Sequence, residues 1–141
     1  MTLHLKNDFV GSCVPQKYFT LPQRQTCARV MLNIYFERGH IDMSKVIFFN
    51  TYRLNKGVSV PDFLLAAEKL NNDYISKQNG YISFDLLVDG ETWADSTTFE
   101  TMADAKKFAE SEEPNELAEE FYTFIDLNSC KSNFFSVEKS Y

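Results

Sequence analysis

The sequence has few cysteines, and none of them stands in a metal-binding or redox spacing. Its three cysteines, Cys13, Cys27 and Cys130, are far apart, odd in number and form no CxxC pair. Disulfide-stabilised secreted domains and zinc sites both use paired or closely spaced cysteines. The pattern therefore predicts reduced thiols in a cytoplasmic protein, with no disulfide framework and no metal site.

Positive charge and long apolar runs are also scarce. The 141 residues include 14 Lys and Arg against 20 Asp and Glu, which gives a formal net charge of −6. Because nucleic-acid binding needs a basic face, this balance argues against a nucleic-acid partner. No apolar run approaches the roughly 18 residues of a membrane span, and the chain does not open with a basic and apolar leader. We therefore expect no membrane partner.

Residues that usually supply catalysis are thinly spread. Glycine occurs five times, at scattered positions typical of turns, so a glycine-rich phosphate loop is absent. Both histidines, His4 and His40, precede residue 44, so the rest of the chain cannot supply the histidine of a nucleophile triad. The carboxylates of residues 110–120 form an acidic run without histidine, which is typical of a solvated helix face. We expect neither a metal nor a cofactor.

Charge divides the chain near residue 43. Residues 1–43 have five basic and three acidic side chains, and residues 44–141 have the other nine basic and seventeen acidic ones. Pro15 and Pro22 also interrupt any periodicity in the first part. We interpret residues 1–43 as an N-terminal extension and leave three alternatives open: a poorly structured segment, a partner-binding arm, or the product of a wrongly assigned start codon. Residues 44–141 are predicted to form the folded domain.

The predicted domain begins with a strand and a helix. Residues 45–54 are rich in β-branched and aromatic side chains, which favours a first strand. Ser59 suits a helix N-cap, and Asp62 stands at the capping-box position. An apolar stripe at helical spacing follows and consists of Phe63, Ala67, Leu70 and Tyr74. Asn79-Gly80 is the predicted end of this helix.

A hairpin and a second helix-strand pair come next. Residues 81–88 and 91–100 predict two strands, and Asp89-Gly90 between them is a signal for a type I′ turn. Thr101 begins a second helix, which Pro114 breaks or restarts and which continues over residues 115–126. Residues 130–139 predict the last strand.

The order β-α-β-β-α-β with right-handed crossovers predicts an α+β, ferredoxin-like fold. It has a four-stranded antiparallel sheet with the helices on one face. The first strand is apolar on both faces, because Val46, Phe48 and Tyr52 alternate with Ile47 and Phe49. The helices can cover only one face, so we expect a second copy of the sheet to cover the other. This predicts a homodimer through the sheet faces.

Five short segments of the domain carry a family likeness. They are FNTYRL at 49–54, VPDF at 60–63, QNGYIS at 78–83, WAD at 93–95 and TFETMADA at 98–105. Through them, residues 44–141 resemble the antibiotic-biosynthesis-monooxygenase-like proteins of the dimeric α/β-barrel superfamily. The resemblance implies a dimeric α/β barrel. The superfamily contains cofactor-independent quinone-forming oxygenases, haem-degrading monooxygenases and many proteins known only by their fold.

The residues that match the superfamily argue against haem chemistry. Haem-degrading members use an Asn near the end of the first strand, a Trp late in the third strand and a His on the second helix. Asn50 stands at the first position, but Phe99 replaces the Trp, and residues 102–124 contain no His. The iron ligand is therefore missing. The quinone-forming members rely on a Trp, Tyr, Asn and Arg set in the pocket, and the sequence alone does not assign that set to particular residues of this chain.

One face of the third strand gathers aromatic and polar residues. Side chains of equal parity share a face of a strand, and here they are Trp93, Asp95, Thr97 and Phe99. The resemblance implies that this face looks toward the helices and that Asn50 and Tyr52 point the same way. Such a lining suits a small, flat and partly polar aromatic ligand.

Two functions follow from this lining. In the first, Asp95 is catalytic, and Asn50, Tyr52, Trp93 and Phe99 bind the ligand. A raised pKa would let Asp95 accept a proton from a phenolic substrate, as cofactor-independent oxygenation requires, because the substrate anion supplies electrons to oxygen. In the alternative, the protein is a non-catalytic dimeric module whose own aromatic side chains fill the core and whose Asp95 only accepts hydrogen bonds.

Overall fold

The structure is a computed structural model that describes residues 44–141. The elements in chain order are β1 (Val46–Leu54), α1 (Val60–Asp73), a 3₁₀ helix (Ile75–Lys77), β2 (Tyr81–Asp89), β3 (Thr92–Phe99), α2 (Met102–Ala109), α3 (Glu116–Thr123) and β4 (Ile125–Ser136). The interpretation of residues 1–43 as an extension lies outside the described residues.

The four strands form one antiparallel sheet in the order β2-β3-β1-β4. Strand β1 pairs with β3 on one side and with β4 on the other, and β2 pairs with β3 at the edge. This is the arrangement of a ferredoxin-like fold. The predicted fold class is therefore confirmed: α+β, β-α-β-β-α-β, with a four-stranded antiparallel sheet. The predicted second helix is present as two short helices, α2 and α3.

Both crossover helices begin at the residues that the sequence predicts. The Oγ of Ser59 accepts a hydrogen bond from the N–H of Asp62 at 3.3 Å. The Oγ1 of Thr101 accepts one from the N–H of Asp104 at 3.1 Å. Each cap satisfies a backbone N–H that the first helical turn leaves without an internal partner. Helix α1 ends at Asp73, before the predicted stop, because the 3₁₀ helix occupies the chain ahead of Gly80.

The hairpin turn differs from the predicted one. Strand β2 extends through Asp89, which pairs with Thr92, so the two loop residues are Gly90 and Glu91. Gly90 has a φ of +59°, whereas Glu91 does not have a positive φ. This is the pattern of a type II′ turn, so the prediction of type I′ is wrong.

The last strand begins earlier than the sequence predicts. Residues 125 and 126 belong to β4, where Ile125 pairs with Leu54 and Asp126 with Arg53. The pairing shifts register between Thr51 and Arg53, as at a β-bulge. The start of this strand could not be predicted from the sequence, because Ile125 continues the helical spacing of Phe121. Ile125 is buried all the same, as a strand residue.

The core consists of two buried clusters. The larger lies between the sheet and the helices α1 and α3, and its buried members are Tyr52, Phe63, Ala67, Leu70, Ile75, Phe121 and Ile125. The smaller lies at α2, and its buried members are Val46, Phe99, Met102 and Ala105. Both clusters use the face of β1 that carries Tyr52 and Val46, as the alternation along that strand predicts.

The opposite face of the sheet is also partly apolar. Ile47 and Phe49 of β1 lie on it, and Ile47 pairs with Phe135 of β4. The rings of Phe49 and Phe135 meet edge to face with their centroids 6.2 Å apart. Phe135 is 52% exposed. A large aromatic ring half in water is available for contact with a partner surface.

Cys130 departs from the sequence-based expectation. It lies on β4 and is disulfide-bonded. The prediction of reduced thiols is therefore wrong for Cys130. Disulfides persist mainly in oxidising compartments, and the cytoplasmic location stays a prediction.

Residues 44–141 provide neither a membrane-spanning helix nor a cluster of metal-ligating side chains. Within that range no helix is long and apolar enough to cross a membrane. In the same range, no group of three or more His, Cys, Asp or Glu side chains is arranged to hold a metal ion.

Candidate functional site

Three polar residues form a row across the helix-facing side of the sheet. Asn50 of β1 pairs directly with Asp95 of β3 on one side and with Ser132 of β4 on the other. All three are buried, with 4–6% of each residue exposed. Directly paired residues carry their side chains on the same face at about 5 Å, so the three polar groups can bond in series. We call this set the polar row.

The hydrogen bonds of the polar row run toward the carboxylate. The Oγ of Ser132 donates to the Oδ1 of Asn50. The Nδ2 of Asn50 in turn donates to the Oδ1 of Asp95 at 2.7 Å. Asp95 is thus the final acceptor, and its second oxygen is not used by the row.

Burial decides the protonation of Asp95. Loss of water around the carboxyl raises its pKa from the ordinary 3.8 to about 6, and the hydrogen bond from Asn50 and the nearby hydroxyl of Tyr52 lower it by less. Desolvation disfavours the charged form, whereas donors favour it, so the two causes oppose each other. A carboxylate with a pKa near 6 is ionised at pH 7 and can take up a proton readily. That is the property of a general base.

Tyr52 places a hydroxyl beside this carboxylate. The residue is 1% exposed, and its hydroxyl oxygen has no hydrogen-bond partner of ordinary geometry among the described residues. It is nevertheless close enough to Asp95 for each group to shift the pKa of the other. Burial, followed by the charge of Asp95, raises the pKa of Tyr52 far above its ordinary value. The hydroxyl therefore stays protonated and can donate.

Phe63 of α1 is the centre of an aromatic cluster above the polar row. Its ring stacks on Phe121 of α3 with a centroid distance of 5.3 Å. It meets Trp93 edge to face at 5.2 Å and Tyr52 edge to face at 6.4 Å. Phe63 is completely buried. Aromatic side chains of the protein therefore occupy the space between Trp93 and the helices.

The structure brings four of the five predicted site residues together: Asn50, Tyr52, Trp93 and Asp95. Phe99 lies elsewhere. It is four residues further along β3 than Asp95, or about 13 Å at the rise of a strand. There it pairs with Val46 and packs on Phe108 at 5.3 Å, in the smaller core cluster. Phe99 therefore does not share a site with Asp95.

Ser132 was missed by the analysis of the sequence. It has the same parity as Phe134 on the last strand, which signals a helix-facing position. The sequence could not pair it with Asn50, however, because the register between β1 and β4 depends on the bulge near Thr51. Phe63 was assigned only to the apolar stripe of its helix, not to a site.

A surface pocket lies away from the polar row. It is lined by Lys77, Gln78, Asn79, Asp104, Lys107 and Phe108. None of these residues is among the predicted site residues. The pocket is polar apart from one ring, so it does not fit the predicted aromatic ligand.

Comparison with known proteins gives fold relatives alone. No protein-family model and no curated protein sequence matches this chain. SnoaB, a cofactor-independent oxygenase from Streptomyces nogalater, is similar in structure with a TM-score of 0.56 and 10% identity, over 69% of this chain and 96% of SnoaB. A candidate antibiotic biosynthesis monooxygenase from Nitrosomonas europaea has a TM-score of 0.55 and 12% identity, over 70% of this chain and 95% of its own.

A third similar structure has a different kind of name. It is a hydroxynitrile lyase from Passiflora edulis, with a TM-score of 0.52 and 17% identity, over 70% of this chain and 98% of the lyase. At these identities the likeness concerns the fold. The resemblance to the monooxygenase-like proteins is confirmed at that level. Because one fold carries both an oxygenase and a lyase, the reaction must be argued from the site.

Proposed function

From the fold that this chain shares with antibiotic-biosynthesis-monooxygenase-like proteins, we propose that it is a small monooxygenase-like protein. It binds an aromatic ligand between the sheet and the helices. The observation that carries this proposal is the buried carboxylate of Asp95 beside the buried hydroxyl of Tyr52, which has no hydrogen-bond partner within residues 44–141. In the proposed complex, Asp95 accepts a proton from the ligand, Tyr52 donates a hydrogen bond to a ligand oxygen, and Trp93 contacts the ligand ring.

The hydroxyl of Tyr52 supports a ligand rather than a purely structural interior. A buried polar group without a partner costs about 1–3 kcal/mol relative to a satisfied one. A phenolic or quinone oxygen next to Tyr52 and Asp95 would remove that cost. Binding of such an oxygen is therefore favoured over binding of an apolar group of the same size.

The chemistry follows from the protonation states. Transfer of the phenolic proton to ionised Asp95 leaves a phenolate, whose electrons are available to O₂. In a quinone-forming reaction one oxygen atom enters the ring and the other leaves as water, so the substrate supplies all four electrons. No further reductant is needed. Asp95 suits the first step because its pKa of about 6 leaves it ionised at neutral pH.

The aromatic cluster favours a second candidate function. Phe63 fills the space beside Trp93 and packs against four rings in all, those of Tyr52, Trp93, Phe121 and Phe124. A core packed in this way can serve a non-catalytic dimeric module, in which Asp95 only accepts hydrogen bonds. The two candidates differ in one property. A ligand must displace or rotate Phe63 in the first and has no place in the second.

We propose a homodimer through the sheet faces for either function. Phe49 and Phe135 form an aromatic contact on the face opposite the helices, and Phe135 is half in water. A second sheet packed on this face would remove both rings from water. Oligomers with a twofold axis present the same patch from each copy, so the face that carries these rings would pack against the same face of the second copy.

Oxygen uptake tests the proposed reaction. The full chain is incubated with a panel of hydroxylated polycyclic aromatics, and oxygen consumption is compared with that of Asp95→Asn. Asp85→Asn is the matched control, because Asp85 is exposed on β2. Asp95 is supported as the base if the protein turns over one class of these aromatics and the rate falls at least about 100-fold in Asp95→Asn. The rate in Asp85→Asn should be unchanged. Equal turnover in both variants would remove Asp95 from that role.

A further inference from the structure

We propose that Ser132 is a positioning residue that orients the amide of Asn50 toward Asp95. This inference rests on the proposed function, in which Asp95 accepts a proton. Ser132 does not contact Asp95, which is two strands away. It acts through Asn50, to which its hydroxyl donates.

The charge of Asp95 sets the direction of the hydrogen bonds. An ionised carboxylate has no proton to donate, so Asn50 must present its Nδ2 to Asp95. The Oδ1 of Asn50 then faces β4 and needs a donor there. The hydroxyl of Ser132 supplies that donor and is buried with the rest of the row.

The hydroxyl of Ser132 has two effects on Asn50. It removes the cost of an unsatisfied amide oxygen in the interior. It also polarises the amide, which strengthens the N–H as a donor to Asp95. Without this hydroxyl the amide is free to rotate away, and the charged form of Asp95 loses a donor that stabilises it.

Few other groups act on this carboxylate. Among the described residues, Tyr52 of β1 is the other titratable side chain whose interaction shifts the pKa of Asp95, and Tyr122 of α3 acts on Tyr52 in turn. The buried residues of α1 that face the sheet are apolar: Phe63, Ala66, Ala67 and Leu70. A change in the pKa of Asp95 after substitution of Ser132 can therefore be assigned to the hydrogen bonds of the polar row.

NMR titration of the carboxyl carbon of Asp95 tests this inference in the full chain without any ligand. The signal is assigned by its loss in Asp95→Asn. We expect Ser132→Ala to raise the measured pKa of Asp95 by about 0.5–1, because a charged group loses part of a hydrogen bond. Ser132→Thr keeps the hydroxyl and should restore the original value. Ser136→Ala, at the exposed end of β4, should leave it unchanged. An unchanged pKa in Ser132→Ala would overturn the inference.

The unaltered protein provides a second test if Ser132→Ala does not fold. The side-chain amide protons of Asn50 should shift with pH at the pKa of Asp95, since one of them is bonded to that carboxylate. If the chemical shifts of these amide protons do not change as Asp95 titrates, the inference is contradicted. Oxygen uptake distinguishes the two proposals: a pKa that moves as expected, with no aromatic compound turned over, removes the proposed function and leaves the positioning role.

Discussion

The Nδ2 of Asn50 lies 2.7 Å from the Oδ1 of Asp95, although the two residues are 45 positions apart in the chain. The contact crosses from β1 to β3 at a directly paired position in the centre of the sheet. It holds a carboxylate in the interior, where its charged form is costly. The stability of the domain should therefore depend on the protonation of Asp95.

The pH dependence of stability has a defined sign. The folded pKa of Asp95, about 6, is above its ordinary value of 3.8, so the folded state binds the proton more tightly. Below about pH 4 the group is protonated in both states and costs nothing. Between pH 4 and 6 the cost grows, and above pH 6 it reaches about 3 kcal/mol.

Asp95→Asn isolates this effect, because an amide does not titrate. The difference in free energy of unfolding between the natural chain and the variant should change by about 3 kcal/mol between pH 4 and 7, with the natural chain losing stability as pH rises. Urea unfolding at several pH values measures it. Other titrating groups cancel in the difference. Parallel pH curves for the two proteins would mean that Asp95 keeps an ordinary pKa.

Phe63→Ala should be among the most destabilising substitutions of the domain. It removes a completely buried ring that contacts Tyr52, Trp93 and Phe121. Loss of a buried Phe typically costs about 3–5 kcal/mol. Leu64→Ala, one residue along α1 and 44% exposed, should cost much less, within about 1 kcal/mol. Similar losses in the two variants, measured by urea unfolding, would contradict the packing of Phe63.

Two glycines separate the cost of backbone conformation from the cost of a steric clash. Gly57 and Gly80 both have a positive φ, of +80° and +74°. A Cβ at Gly57 meets nothing within 4 Å, whereas a Cβ at Gly80 would overlap the carboxyl group of Asp104. Gly57→Ala should cost about 1–2 kcal/mol from the left-handed backbone. Gly80→Ala should cost clearly more in the same unfolding assay, and an equal cost would show that Asp104 moves aside freely.

A charge on the open sheet face should separate the proposed dimer. Phe135→Glu places a carboxylate where two copies would meet, and a buried unpaired charge is costly. Light scattering after size exclusion should show about twice the chain mass of 16.3 kDa for the natural protein and a single chain mass for the variant. Val88→Glu is the control, since Val88 is 58% exposed and pairs with Trp93 on the helix-facing side. If the natural protein itself shows a single chain mass, the proposal of a homodimer is wrong.

Much of the fold could be predicted from local patterns. The caps at Ser59 and Thr101 and the alternation along β1 are short-range signals, and the structure follows them. The errors lie where tertiary pairing overrides local spacing. Ile125 fits a helical stripe but pairs with Leu54, and the turn moves to Gly90-Glu91 because β2 pairs through Asp89.

The site was less predictable, because it depends on register. Asn50, Tyr52, Trp93 and Asp95 could be placed on one face by parity. Only the three-dimensional arrangement shows that Ser132 bonds to Asn50 and that Phe63 fills the space beside Trp93. Phe99 has the right parity but lies too far along its strand.

Fluorescence of Trp93 would report directly whether a ligand binds between the sheet and the helices. It is the only tryptophan of the chain, and it lies beside Phe63 and the polar row. The full chain is titrated with hydroxylated polycyclic aromatics, quinols, flavin and haem at pH 7. The proposed function predicts saturable quenching by one class of hydroxylated aromatic, with weaker binding in Tyr52→Phe, which lacks the donor. An emission that no compound changes, in a protein that is folded, would contradict ligand binding at this site and leave the filled core as its role.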